Sequence, residues 1–268
     1  MDERTTFQWL GTAGFRIETG GRVLLIDPFF SRVPESRPVQ PLGPGDMADA
    51  ELIFLTHGHF DHIGDVPAIV EASGAAVYCS SVAAETLEKM GVPAGKITRL
   101  AGDESLDPGG FAVHTFVTRH IRFDARLILR TAPRLLRDAN IDMLRHVSGM
   151  PSGPVLIYWF DFDGLTVVHT GSLGITPEEA MRQGLKGPDI LMLPLQGHSR
   201  ICTRAALLTA AIKPRAIVPQ HFDDFFPPVS QWVELMPFQA MVEKLAPECR
   251  YYEPAMNEVF TARDVLGE

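Results

Sequence analysis

The sequence contains little cysteine, no long apolar run and no excess of positive charge. Its three cysteines, Cys79, Cys202 and Cys249, are widely spaced and form no CxxC pair, which argues against a disulfide framework or a cysteine-based zinc site. We expect all three to be buried as small apolar side chains. Nowhere do about 18 apolar residues follow one another without charge, so no membrane span is predicted.

Positive charge is scarce over the chain as a whole. Lysine and arginine total 24 against 33 aspartates and glutamates, which gives a net charge of −9. This balance argues against general attraction to anionic membranes, and no nucleic-acid partner is expected. The first ten residues carry acidic side chains where a secretory leader needs basic ones, and we therefore expect a cytoplasmic protein.

The composition, with 46% apolar and 21% charged residues, is that of a folded protein with a sizeable core. Short strand patterns open each half of the chain, at residues 6–27 and 155–169. Helical and strand patterns alternate after each of these meanders, as in βαβ units. We therefore expect an α/β fold with residues 1–268 in a single domain, and a helical lid or insertion at about 119–150.

Three histidines and an aspartate lie close together in residues 56–62, which read THGHFDH. The segment follows four consecutive apolar residues that predict a strand buried on both faces. On an extended loop His57 and His59 point one way, while Asp61 and His62 turn to the neighbouring side. The segment can therefore serve two adjacent metal positions, and its imidazole and carboxylate groups suit zinc, manganese or iron.

Together with WLGTAGF at residues 9–15 and LLIDPF at residues 24–29, this segment resembles the metallo-β-lactamase superfamily. The similarity is to the branch that contains ascorbate-6-phosphate lactonase and many uncharacterised metal-dependent hydrolases. It implies an αββα sandwich of two mixed sheets flanked by helices, with a dinuclear metal site in the cleft between the sheet edges. One or two zinc ions are expected, with manganese or iron as alternatives.

The resemblance also implies two sets of three metal ligands. The sets are His57, His59 and His120 at the first metal, and Asp61, His62 and His221 at the second. Asp27 and His169 are expected to support the site from behind these ligands. His120 and His221 each follow a predicted strand, where site residues commonly gather.

The residue expected to bridge the two metals departs from the superfamily pattern. In the superfamily a strand ends in (His/Tyr)-Thr-Gly-Asp and the aspartate is the bridge, whereas here residues 169–172 read HTGS. The Ser172 hydroxyl is neutral and a weak ligand, so the site lacks one negative charge between the two cations. We expect the second metal to bind more weakly than usual, or to be missing.

Three interpretations of this departure stay open. The chain is a mononuclear or weakly dinuclear hydrolase, or it recruits another carboxylate, or it has kept a metal- or ligand-binding function without catalysis. Asp223 and Asp224 are the carboxylates nearest in sequence to a proposed ligand. The presence of all six other ligand types favours the first interpretation.

Residues 119–145 form a basic segment with seven arginines and three aspartates, whose charge of +4 leaves −13 for the rest of the chain. Four arginines recur every four residues, which predicts a basic stripe along one face of a helix. They are Arg122, Arg126, Arg130 and Arg134. The opposite face is apolar and includes Ile128 and Leu136. Pro133 is expected to break or kink this helix. The stripe is either a solvated face or homo-oligomer contact, or a lid that binds phosphate, carboxylate or lipid headgroups.

These features predict a hydrolase in which water made acidic by the metal attacks an ester, lactone or phosphodiester. Asp61 is expected to orient that water, and His198, after another apolar strand, is expected to donate a proton or contact the substrate. We expect an anionic small-molecule substrate, bound by Arg122, Arg126 and Arg130. The alternatives are a phospholipase or phosphodiesterase that uses the arginine helix, and a binding protein without catalysis.

Replacing Ser172 with aspartate should increase metal occupancy of the second position, because it restores a bridging anion between two cations. Equilibrium metal titration of the Ser172→Asp variant and the parent protein measures the effect. Unchanged stoichiometry and affinity would mean that Ser172 is not at the bridge, or that another carboxylate already fills it.

Overall fold

The structure is a computed structural model that describes residues 5–138 and 149–268. Asp142 and Arg145, which contribute to the charge of the basic segment, lie outside the described residues. Within the described ranges, no helix combines the length and apolar character needed to cross a bilayer.

The described chain contains strands that follow the two predicted meanders and the strand patterns after them. In chain order they are β1 (Thr6–Gly11), β2 (Gly14–Thr19), β3 (Arg22–Ile26), β4 (Leu52–Phe54), β5 (Ala76–Ser80), β6 (Ile97–Leu100), β7 (Ser105–Leu106), β8 (Ala112–Thr118), β9 (Val155–Phe162), β10 (Leu165–His169), β11 (Ile190–Pro194), β12 (Ala216–Gln220), β13 (Arg250–Tyr251) and β14 (Val259–Thr261). The short strands β7, β13 and β14 were not predicted, because two or three residues carry too little periodicity.

These strands form two seven-stranded sheets, ordered β14-β1-β2-β3-β4-β5-β6 and β13-β12-β11-β10-β9-β8-β7. In the first sheet, β14 through β3 pair antiparallel and β3 through β6 pair parallel. In the second sheet, β7 through β10 pair antiparallel and β10 through β13 pair parallel. Each sheet therefore ends in parallel strands whose carboxyl ends share one edge, where side chains for a site can converge.

Helices flank both sheets. They are α1 (Phe60–Ile63), α2 (Val66–Ser73), α3 (Ser81–Lys89), α4 (Ala125–Asp138), α5 (Pro177–Arg182), α6 (Ile201–Ile212), α7 (Met236–Leu245) and α8 (Ala262–Leu266), with 3-10 turns at Pro44–Met47 and Ala94–Lys96. Ile69 of α2 and Leu87 of α3 share an apolar core with the first sheet, and Leu208 of α6 and Phe238 of α7 belong to the core of the second. The predicted arrangement of two mixed sheets with helices on their faces is confirmed.

Local sequence accounts for where several of these elements begin and end. The hairpin between β9 and β10 turns at Asp163 and Gly164, whose φ values of 53° and 91° suit a two-residue turn. Phe162 pairs with Leu165 in the ladder, so only Asp163 and Gly164 form the turn. At α5, Thr176 accepts a hydrogen bond from the Glu179 backbone N–H at 3.2 Å, which forms a capping box.

Tyr158 connects the two sheets through the core between them. Its side chain is fully buried on β9, and its O–H donates to the Leu55 carbonyl of the first sheet at 2.8 Å. The Tyr158 ring meets Phe54 edge-on with a centroid distance of 5.4 Å. Because Leu55 directly precedes the histidine-rich segment, this contact fixes that segment relative to the second sheet.

The helix in the basic segment differs from the prediction. It begins at Ala125, so Arg122 lies before it and is not part of a helical stripe, and Pro133 lies inside it without ending it. A proline at this position removes one backbone hydrogen bond, which an exposed helix can lose without breaking. None of its residues is buried, and the predicted apolar side chains Ile128 and Leu136 are 51% and 87% exposed.

The cysteines agree with the prediction in part. All three are free, as expected. Cys79 is fully buried on β5, whereas Cys202 and Cys249 are only half-buried because they pack at the margin of the core.

Replacing Tyr158 with phenylalanine should lower the free energy of unfolding by about 1–2 kcal/mol, because the buried Leu55 carbonyl loses its side-chain donor. Urea denaturation followed by circular dichroism measures this loss. Tyr251→Phe is the matched control, since among the described hydrogen bonds the Tyr251 O–H donates only to the exposed Glu253, at 3.3 Å. Equal stability of the Tyr158→Phe variant and the parent would contradict a connecting role for this hydroxyl.

Candidate metal centre

The histidine-rich segment leaves the end of β4 and is held by a neighbouring loop. The Gly58 backbone N–H donates to the Ser152 carbonyl at 2.9 Å. A Cβ atom on Gly58 would lie 2.4 Å from the Pro151 carbonyl oxygen, so only glycine fits between the two ligand candidates His57 and His59. A short helix, α1, then begins after His59 and turns Asp61 and His62 to the other side.

The first group of candidate ligands consists of His57, His59 and His120, whose nearest side-chain nitrogens lie within 4.8 Å of one another. His57 Nε2 and His59 Nδ1 are 3.1 Å apart. Two nitrogens bound to one tetrahedral ion at about 2.0–2.1 Å would lie roughly 3.3 Å apart, so this spacing fits a shared cation.

Hydrogen bonds on the outer ring nitrogens support this fit. The Thr56 hydroxyl donates to Asp27 at 2.5 Å, so it accepts from His57 Nδ1 at 3.0 Å. His120 Nδ1 donates to the Ile121 carbonyl at 2.8 Å. In both rings the proton lies on Nδ1, which leaves the Nε2 lone pair free for a metal.

The second group consists of Asp61, His62 and His221, again with one ligand atom each within 4.8 Å of one another. Asp61 Oδ2 lies 3.2 Å from His221 Nε2 and 3.7 Å from His62 Nε2. The other ring nitrogen of His62 lies 2.8 Å from the Asp27 carboxylate, which directs His62 Nε2 towards Asp61. The two groups adjoin, since the rings of His57 and His62 are 3.9 Å apart. This donor set of five imidazoles and one carboxylate suits zinc, manganese or iron.

Burial and mutual repulsion keep most of these imidazoles neutral. Burial, aided by the neighbouring histidines, lowers the pKa of His57 well below its usual value and that of His120 to about 4. Burial also acts against protonation of His62, but the Asp27 and Asp61 carboxylates raise its pKa. Although burial opposes ionisation of Asp61, the imidazoles of His62 and His221 hold its pKa below the usual range. Neutral imidazoles and an ionised carboxylate are the forms that bind metals.

Ser172 and His169 lie next to this centre, at the carboxyl end of β10. Ser172 is buried, and its hydroxyl accepts a hydrogen bond from the Ile121 N–H at 3.1 Å, directly beside His120. His169 Nε2 donates to the Ala13 carbonyl at 3.0 Å. Among the described hydrogen bonds His169 contacts no candidate ligand, and its supporting role at the site stays a prediction. The metal-binding role of Ser172 stays a prediction.

The structure does not bring Asp223 or Asp224 into either ligand group. The fully buried Asp223 carboxylate accepts from the Thr12 N–H at 3.0 and 3.1 Å and pairs with Arg32 at 2.8 Å. Asp224 accepts from the Ser230 hydroxyl at 2.6 Å. The interpretation in which one of them replaces the bridging aspartate is therefore not supported, because neither carboxylate lies in a ligand group.

The pairing of Asp223 with Arg32 has a role at the site that the sequence did not reveal. The Thr12 carbonyl accepts from the His221 backbone N–H at 2.7 Å. His221 and Thr12 have φ values of 54° and 52°, a region that L-residues seldom occupy. Asp223 and Arg32 thus hold two strained loops together and fix the backbone of His221. No sequence signal marks this contact, since its partners are about 200 positions apart.

A pocket of about 260 Å³ opens beside His120. It is lined by residues 119–124 together with Gly174, His198 and Arg204. His198 Nδ1 accepts from the Arg200 N–H at 3.0 Å, so a neutral His198 carries its proton on Nε2. The predicted substrate residue Arg122 lines this pocket, whereas Arg126 and Arg130 are exposed on α4 and are not among its lining residues.

Comparison with known proteins agrees with this geometry. A family model described as a β-lactamase superfamily domain matches residues 6–221. The chain belongs to the metallo-β-lactamase superfamily. It is 31% identical over 226 residues to a UPF0173 metal-dependent hydrolase of Thermococcus kodakarensis, which covers 84% of this chain and 87% of the relative. The predicted membership of the superfamily, in the branch of uncharacterised metal-dependent hydrolases, is confirmed.

Solved structures of the superfamily have the same architecture. Igni18, a metallo hydrolase from Ignicoccus hospitalis, superposes with a TM-score of 0.67 at 22% identity. The superposition covers 96% of this chain and 98% of the Igni18 chain. YhfI of Bacillus subtilis, a metallo-β-lactamase fold protein, gives a TM-score of 0.65 at 14% identity with the same coverage, 96% and 98%. These likenesses establish the metallo-β-lactamase fold of the chain.

Replacing His57 and His59 with alanine should remove most bound metal, because the variant loses two nitrogens of the first group. Metal analysis by mass spectrometry after gel filtration measures the loss. The control is His114→Ala, since His114 lies on β8 away from both groups. Full metal occupancy in the double variant would disprove the assignment.

Proposed function

We propose that the protein is a metal-dependent hydrolase that acts on an ester, lactone or phosphodiester of an anionic small molecule. The observation that carries this proposal is that two adjoining ligand groups lie beside a pocket whose wall includes His120 of the first group. A substrate in that pocket would place its scissile bond next to the first ligand group.

The two ligand groups would hold the metal. His57, His59 and His120 would bind the first ion, and the group formed by Asp61, His62 and His221 would bind the second, with Ser172 as a weak neighbouring ligand. Zinc is the expected ion, with manganese or iron as alternatives. The bound ion supplies Lewis acidity, towards both a water molecule and the bond to be cleaved.

Asp61 and His198 would act on protons at opposite sides of the substrate. Asp61 is ionised, and its carboxylate lies between His62 and His221, where it can accept a hydrogen bond from the attacking water. His198 carries its proton on Nε2 and lines the pocket, so it can donate a hydrogen bond to the leaving group or to a substrate oxygen, and only its protonated form would transfer a proton. Ile121 and Phe123 give the same pocket an apolar part of its wall.

Arg122 would supply positive charge to an anionic substrate, because it lines the pocket and no carboxylate pairs with it among the described ion pairs. We do not extend this role to Arg126 and Arg130, which face solvent on α4. Guanidinium groups outside the pocket wall contribute little to binding there, because water and salt screen them.

Two alternatives remain within this proposal. A lipid or nucleotide phosphodiester is the first, supported by the exposed arginines and the exposed Ile128 and Leu136 on α4. Metal or ligand binding without hydrolysis is the second, supported by Ser172 at the expected bridge position. A lactonase is the expectation that follows from the resemblance alone.

A substrate panel combined with metal analysis tests the proposal. The metal-loaded protein should hydrolyse a lactone, a carboxylic ester or a phosphodiester, and a chelator should abolish the activity. Asp61→Asn should lower kcat by about 10²–10⁴-fold, as expected for loss of a positioned proton acceptor. Asp103→Asn, at a 92% exposed side chain outside the site, is the control. A fully metal-loaded protein that turns over none of the three classes would favour the binding alternative.

A further inference from the structure

The pocket beside His120 contains an arginine whose charge no described carboxylate balances. Arg204, in the first turn of α6, is half-buried and lines this pocket. Its Nε is shielded from solvent and has no hydrogen-bond partner within the described ranges. A guanidinium that lies in a pocket wall without an acidic partner is available to an anion in that pocket.

Two other arginines of restricted exposure have acidic partners. The Arg16 side chain is 18% exposed and donates to Asp49 at 2.7 Å. The buried Arg32 pairs with Asp223 at 2.8 Å. Against this pattern, Arg204 forms no ion pair with any residue that the structure describes, which makes its position in a pocket wall significant.

The acidic residue of the pocket is already engaged. Asp124 accepts from the Ser199 N–H at 2.8 Å and from the Ser199 hydroxyl at 2.7 Å, and it lies 3.7 Å from His198. Hydrogen bonds from Ser199 hold the pKa of Asp124 at about 2, so this carboxylate stays ionised in its own contacts. Arg122 and Arg204 therefore give the pocket positive charge that is available to a ligand.

We propose that Arg204 binds a second anionic group of the substrate, a carboxylate or a phosphate separate from the bond that is cleaved. This inference rests on the proposed function, because it takes the pocket beside His120 as the substrate site. The two terminal nitrogens of a guanidinium present two parallel donors, which match two oxygens of such a group. The substrate class is then an ester, lactone or phosphodiester with an additional oxyanion.

The position of Arg204 explains how the pocket would orient such a substrate. The reacting bond would lie towards His120, and the anionic group would lie towards the start of α6. His198 lies on the loop directly before α6, so its Nε2–H and the Arg204 guanidinium come from one short stretch of chain. A substrate held by Arg204 would therefore be placed relative to the proposed proton donor as well.

Calorimetric titration of the metal-loaded protein with small anions tests the inference without requiring turnover. The probes are butyrate, which offers one carboxylate, the dicarboxylates succinate, glutarate and adipate, which vary the spacing, and 4-phosphonobutyrate, which replaces one carboxylate. At least one two-anion probe should bind tighter than butyrate. Arg204→Gln should weaken that probe tenfold or more and leave butyrate within twofold. Arg126→Gln is the matched control, because it removes the same charge from an exposed site.

The outcomes separate the inference from the proposed function. Equal affinity of the parent protein for butyrate and every two-anion probe would overturn the inference, as would equal losses in the Arg204→Gln and Arg126→Gln variants. The preferred anion distinguishes a carboxylate from a phosphate substrate. Metal content and melting temperature of each variant exclude a folding defect. Selective loss in Arg204→Gln without hydrolysis of any ester would support the anion site and contradict the hydrolase.

Discussion

The buried carboxylate of Asp27 is the constraint on which the candidate site depends. It accepts hydrogen bonds from the Thr56 N–H at 2.8 Å and the Thr56 hydroxyl at 2.5 Å, and it lies 2.8 Å from His62 Nδ1. One side chain therefore fixes both ends of the histidine-rich segment. Asp27 itself has a φ of 43°. Two contacts maintain this conformation: the Asp27 N–H donates to the Phe54 carbonyl, and β3 pairs in parallel with β4.

The two sheets bring separate parts of the chain to this constraint. The segment after β4 contributes four candidate ligands, while His120 follows β8 and His221 follows β12. Gly171, after β10, packs so closely on Thr56 that a Cβ would lie 2.3 Å from the Thr56 Cβ. Thr56 is thus enclosed by Asp27 on one side and the second sheet on the other, and the site forms only when both sheets are in place.

Much of this arrangement could be predicted from the sequence, because many of the site residues are close to one another in the chain or directly follow a predicted strand. His57, His59, Asp61 and His62 are neighbours in sequence, and a buried strand directly before them places them at a sheet edge. The positions of His120, His198 and His221 after predicted strands carry similar information. The fold class followed from the alternation of strand and helix patterns.

The remaining features depend on contacts between distant residues. Arg32 pairs with Asp223, and β14 pairs with β1 across almost the whole chain, so neither leaves a local pattern. The prediction that Arg122 belongs to a helical arginine stripe was wrong, because a four-residue spacing does not show where a helix begins. Arg204 was missed because a single arginine in an apolar helix has the same sequence signature whether its partner is a carboxylate or a ligand.

Anomalous diffraction from crystals of the metal-loaded protein, measured at the absorption edge of the bound metal, tests the central claim most directly. The account predicts a full-occupancy peak among His57, His59 and His120, and a weaker peak or none among Asp61, His62 and His221, where the bridging carboxylate is replaced by Ser172. A peak held by other residues, or no peak at either group in protein that retains metal, would contradict it.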